Sequence, residues 1–168
     1  RNAQKMQDAA IHSQETEELI PCTGPEFYST REIVRGNGIG ESMQQQTARR
    51  MAYSNAVKDL AGKISTTVKS VFNTYVNDET INMDETFYQK YEGMQKEIVN
   101  QTTGYRTICE KYASYINSAN RKIYKCYLAI EIGTDEILKP LYETTQQESS
   151  EKLNVEYEQF KEEFNKIF

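Results

Sequence analysis

Gly36-Asn37-Gly38-Ile39-Gly40 is the first run whose residue types could do chemistry, since glycines between a strand and a helix can bring backbone N–H groups onto a phosphate. A dinucleotide fingerprint needs its third glycine at position 41, where this chain has Glu41, and a carboxylate there would repel a pyrophosphate. No parallel strand follows to complete a βαβ unit. The glycines are therefore expected to form a bend or bulge where a strand hands over to a helix. Asp78-x-Thr80-x-Asn82-x-Asp84 sets oxygen ligands at alternate positions. Met83 stands where a calcium loop needs glycine, however, and Gln89 where it needs glutamate. His12 is the only histidine, and Cys22, Cys109 and Cys126 are dispersed, which excludes the common zinc sets and any His-dependent nucleophile. No catalytic residue, metal or cofactor is expected, and the chain reads as no enzyme.

The segment from Tyr105 to Tyr127 is different. It carries Arg106, Lys111, Arg121, Lys122 and Lys125 against Glu110 alone, in a chain of net charge −5. It also holds Tyr105, Tyr112, Tyr115, Tyr124 and Tyr127. Strand alternation places Lys111, Tyr115, Lys125 and Tyr127 on one outward face. Aromatic rings beside cations can hold a glycan, an anionic polymer or lipid headgroups. Lysines that merely blunt a sheet edge are the plainer reading.

The elements that must position these residues are legible from spacing. After Arg31-Glu-Ile-Val-Arg35, a short strand, Ser42 and Gln45 have the S-x-x-Q spacing of a capping box. Ala48, Ala52, Ala56, Leu60, Ile64, Val68, Phe72 and Val76 then recur every four residues, which predicts one helix from about Met43 to Val76. The alanine end should lie closest to the sheet. A second helix, capped by Asp84, buries Phe87, Tyr91, Met94 and Ile98 and ends at Gly104.

Tyr105 to Ile116 and Lys122 to Ile132 read as a hairpin, with Asn120 in a left-handed position of a three-residue turn. That register opposes Tyr112 to Cys126 and Ile108 to Ile130, and it sends Cys109 and Cys126 to opposite faces. Thr134, with Asp135 and Glu136 behind it, opens a further helix that Pro140 should kink or break. Leu153, Tyr157, Phe160, Phe164 and Ile167 form a 4-3-4-3 seam, expected to pack on the far end of the long helix in preference to forming a homodimer.

The order is strand, helix, helix, strand, strand, helix. It predicts an α+β fold in two layers, a small antiparallel three-stranded sheet with long helices on one face and an extended C-terminal helix. Residues 1–18 read as a tether or weak helix, 19–139 as the core domain, and 140–168 as a helical extension packed on it. Only 38% of residues are hydrophobic and mean hydropathy is −0.76, so the elements should be one-sided. The mildly acidic charge argues against a nucleic-acid partner. No apolar run approaches the roughly 18 residues that span a bilayer. Three scattered cysteines suggest no disulfide framework. The first residue is Arg1, which predicts removal of an N-terminal piece.

Pro21-Cys-Thr-Gly-Pro-Glu-Phe-Tyr28, Arg35-Gly-Asn-Gly-Ile-Gly-Glu-Ser42 and Gln46-Thr-Ala-Arg-Arg-Met-Ala-Tyr-Ser-Asn-Ala-Val-Lys-Asp-Leu-Ala61 together resemble the lipoprotein-20-like bacterial envelope proteins, small members from gut Bacteroidetes above all. Arg106-Thr-Ile-Cys-Glu-Lys111 and Tyr127-Leu-Ala-Ile-Glu-Ile132 fit the same pattern, so the likeness covers about residues 19–135. The chain also looks like the N-terminal domain of a flagellar assembly protein. The resemblance implies an exported lipoprotein at the periplasm, outer membrane or cell surface, anchored through a cysteine before Arg1 and acting through an envelope protein partner. It supplies no catalytic residues. The rival expectation is a module that binds an acidic glycan or polymer on the hairpin face.

Overall fold

The computed structural model describes residues 18–77, 85–148 and 155–168. His12, the Asp78–Asp84 run with its cap Asp84, and Leu153 lie outside the described residues, as do the side chains of Val76 and Phe87. Among the described residues the chain forms β1 (Ile33–Ser42), α1 (Gln45–Asn77), α2 (Glu85–Gln101), β2 (Arg106–Ile116), β3 (Lys122–Gly133), α3 (Thr134–Glu148) and α4 (Tyr157–Ile167). The sheet is antiparallel in the order β1-β3-β2, and α1 lies along β1 and β3. This is the α+β architecture that the order of elements predicts.

The glycines of β1 form neither bend nor bulge. Gly36, Gly38 and Gly40 sit inside the strand, paired in register with Ile130, Leu128 and Cys126. Their alternation puts all three on the face that meets α1, opposite Ala56, Ala52 and Ala48. A Cβ on Gly38 would stand 2.3 Å from the Ala52 carbonyl oxygen, and one on Gly40 would stand 2.2 Å from that of Ala48. Helix backbone therefore lies directly on strand backbone. Both sides had to be small for this, and Ala48, Ala52 and Ala56 are all fully buried.

Further along, the same helix face carries Leu60, Ile64, Val68 and Phe72 into a core shared with Leu128, Ile130, Ile132, Ile137, Leu138 and Leu141. Phe160 and Phe164 of α4 complete that core, each fully buried, with Phe160 stacked on Phe72 at 6.1 Å between ring centroids. The seam thus packs within the chain at its middle, while Ile167 at its end stays exposed.

Three local expectations are corrected. Ser42 is the last residue of β1 and no cap of α1, although its hydroxyl accepts from Gln44 N–H at 3.2 Å. Thr134 does open α3, as predicted, and its hydroxyl donates to Arg31 O at 3.2 Å, which ties the helix to the approach to β1. Pro140 does not break α3, which runs through it to Glu148. In the hairpin, Tyr112 does oppose Cys126 and Asn120 is left-handed with φ 59°. A β-bulge between Thr107 and Cys109, however, extrudes Ile108, so Thr107 takes the place opposite Ile130.

Cys22 and Cys109 form a disulfide, where the sequence suggested no framework; Cys126 is free and buried. The pairing depends on the path of residues 18–28, which is not encoded in cysteine spacing. That strap crosses the sheet face opposite the helices. Cys22 takes a left-handed backbone at φ 62°, its Sγ lies 3.7 Å from the Tyr127 carbonyl oxygen, and Arg35 Nη1 donates to Tyr28 O at 2.8 Å.

Candidate functional site

The sheet face away from the helices is built by the odd-numbered residues of β1, β3 and most of β2. Lys111, Tyr115, Lys125 and Tyr127 all lie on it, as strand alternation predicts. Lys111 is directly opposite Tyr127, and Tyr115 opposite Ile123. The Lys125 ammonium stands 5.3 Å from the centre of the Tyr127 ring.

β1 then adds a residue that the hairpin segment alone does not reveal. Glu41 is opposite Lys125 in the register, 3.6 Å from its ammonium, and accepts a hydrogen bond from the Tyr115 hydroxyl at 3.0 Å. The bond to Glu41 pushes the Tyr115 phenol pKa up. Contact with Tyr127, and then Glu41, raises that of Lys125.

The excess of positive charge in the hairpin is therefore partly compensated. Arg106 lies 3.5 Å from Glu131 and Lys125 is paired with Glu41, while Glu110 on the helix face takes Arg49 of α1. Lys111, Arg121 and Lys122 have no acidic partner among the described residues. They do not form one patch: Lys122 lies 5.0 Å from the Tyr124 ring at the turn end, and Arg121 reaches Met43 at 3.9 Å. What remains on the outer face is a small platform of two tyrosines, two lysines and one carboxylate. It is bounded on one side by the strap, beneath which Ala129 is only 1% exposed.

The signal for Glu41 was available in principle, because a three-stranded sheet must bring β1 against one strand of the hairpin. Finding it required the β1–β3 register, which the misplaced glycine bend concealed. Among the described residues no group of three or more His, Cys, Asp or Glu could hold a metal ion, and no helix is long and apolar enough to cross a membrane. No protein-family model, curated protein or solved structure matches this chain.

Proposed function

We propose that this chain is a non-enzymatic bacterial envelope protein that acts through protein–protein contact and is held at a membrane by a lipid anchor outside this sequence. The observation that carries the reading is the Cys22–Cys109 disulfide, which fixes the strap to the sheet over a separation of 87 residues. Structural disulfides form and persist in oxidising compartments such as the bacterial periplasm and cell surface, and are rare in the cytosol. The lipoprotein-20-like resemblance of residues 19–135 points the same way. The test is to produce the full precursor in a bacterial host and follow fatty-acid labelling, membrane fractionation and thiol state. An acylated, membrane-bound, oxidised product is expected. An unlabelled cytosolic product with Cys22 and Cys109 reduced refutes the proposal.

A second reading, a module that binds a glycan bearing acidic groups, draws on the convergence of Lys111, Tyr115, Lys125 and Tyr127 on one face. Glu41 at its centre disfavours a densely charged polyanion and leaves a sparsely charged sugar. Binding on a glycan array that disappears in Tyr127→Ala supports this reading, and an array with no signal removes it.

A further inference from the structure

β2 is an outer strand of the sheet, and every residue from Glu110 to Ile116 is exposed. The hairpin determines which of its backbone groups are spare. Asn117 N–H donates to Arg121 O at 2.9 Å, so these two form a hydrogen-bonded pair, and in an antiparallel ladder such pairs recur at every second residue. Tyr115–Ile123, Ala113–Lys125 and Lys111–Tyr127 are then the bonded pairs. The N–H and C=O groups of Glu110, Tyr112 and Ser114 point the other way, to an edge that no described strand occupies.

Exposed edges are ordinarily protected by proline, a bulge, charge or brevity. Here the strand is 11 residues long, it contains no proline, its bulge lies between Thr107 and Cys109, and its charges, Arg106, Glu110 and Lys111, all precede Tyr112 and leave Tyr112 to Ile116 uncharged. Tyr112 and Ile116, on the helix side of the sheet, are 39% and 59% exposed.

We propose that β2 is a dimerisation edge, on which a second copy of this chain pairs its own β2 antiparallel about Tyr112 to make one sheet with three strands from each copy. The partner is a second copy because the strand complements itself in this register. A two-fold axis normal to the sheet keeps like faces together and lets spare groups meet only spare groups. Centring on Glu110 or Lys111 would set that charge against its own copy, and like charges directly opposed destabilise a pair. Centring on Tyr112 sets Glu110 against Ser114 and Lys111 against Ala113, with the two Tyr112 residues meeting at the axis, all within the regular part of the strand beyond the bulge. Centring on Ala113 faces Glu110 with Ile116, a charge against an apolar side chain. So short an interface falls in the class below about 1,200 Å², where contacts are weak and transient, and the dimer is accordingly concentration-dependent.

The inference stands without the envelope reading. It is tested on the whole oxidised chain by sedimentation velocity over a concentration series, with residue-resolved amide exchange on the same samples. A dimer fraction that grows with concentration is expected. The amides of Glu110, Tyr112 and Ser114 should slow as it grows, whereas those of Lys111 and Ala113 are slow throughout. Ser114→Pro removes a spare N–H and leaves the β3 ladder whole; it should weaken association about tenfold or more at an unchanged melting temperature. Tyr112→Lys, which opposes like charges at the axis, should do the same should the proline variant fail to fold. A monomer at every concentration, a dimer that survives Tyr112→Lys, or a dimer in which the three spare amides still exchange fast overturns the proposal.

Discussion

A methyl group added at Gly38 would meet Ala52 O at 2.3 Å and Ala56 N at 2.4 Å, both backbone atoms that cannot swing aside. Gly38→Ala should therefore lift α1 from the sheet and cost about 1–3 kcal/mol, as overpacking does, and Ala52→Leu should cost a similar amount from the other side. Gly62 gives the contrast. It lies within α1, and a Cβ there would meet nothing within 4 Å, so Gly62→Ala should stabilise by roughly 0.5–1 kcal/mol through helix propensity alone. Urea denaturation of the three variants measures both signs. At this scale the alanine ladder was legible in the sequence because its period of four has one common meaning. The glycines misled because Gly-x-Gly-x-Gly is also the composition of a turn. Their period of two, matched to alanines spaced by four, was the signal for close strand–helix contact.

At the scale of elements, the junction of α3 and α4 depends on one buried aromatic and a polar cluster of four side chains. Phe160 is fully buried between Phe72 and Tyr142, so Phe160→Ala should cost about 3–5 kcal/mol in thermal or chemical denaturation. Beside it the Tyr157 hydroxyl donates to Asp135, and Lys161 reaches Asp135 at 3.1 Å and Glu32 at 2.9 Å.

The bond from Tyr157, and then Lys161 against the opposing push of burial, hold the Asp135 pKa below the ordinary carboxylate range. A depressed folded pKa contributes stability above the unfolded value of about 3.9, and that contribution is lost as pH falls through the folded one. Asp135→Asn should thus be less stable than the wild type at neutral pH, and the two melting temperatures should converge below about pH 4. Tyr157 shifts upward, through burial and then through Asp135. Its contribution is complete below the ordinary phenol value of about 10 and is lost as pH rises through the higher folded one.

The apolar seam of α4 was readable from its spacing. Tyr112 and Ile116 lie on the helix side of β2, but the helix layer ends before β2 and leaves them exposed, a question of width that periodicity along one strand does not answer.

For the whole molecule, the strap and its disulfide are what local pattern could least reveal, since Cys22 and Cys109 meet only once the chain has crossed the outer face. The bridge encloses β1, α1 and α2 in a loop long enough for its removal to cost about 2–5 kcal/mol, chiefly by freeing the unfolded chain. Cys22→Ser should lower the urea midpoint accordingly. Denatured without reductant, the wild type should present one reactive thiol per chain, that of Cys126, and no thiol to a slow reagent while folded.

The central strand of the sheet is also the last to be synthesised. Ile33 pairs with Gly133, a hundred positions further on, whereas Ile116 and Lys122 meet across a turn. A ribosome adding about 5–20 residues per second leaves β1 without its neighbour for roughly 5–20 s. The hairpin needs only microseconds once β3 has emerged. Folding should then proceed by docking β1 and its helix onto a preformed hairpin, and closure of that long loop sets the rate. Until it closes, the pairing edge of β1 and the Leu60, Ile64, Val68 and Phe72 face of α1 stay uncovered, and the nascent chain is most in need of a chaperone over that interval.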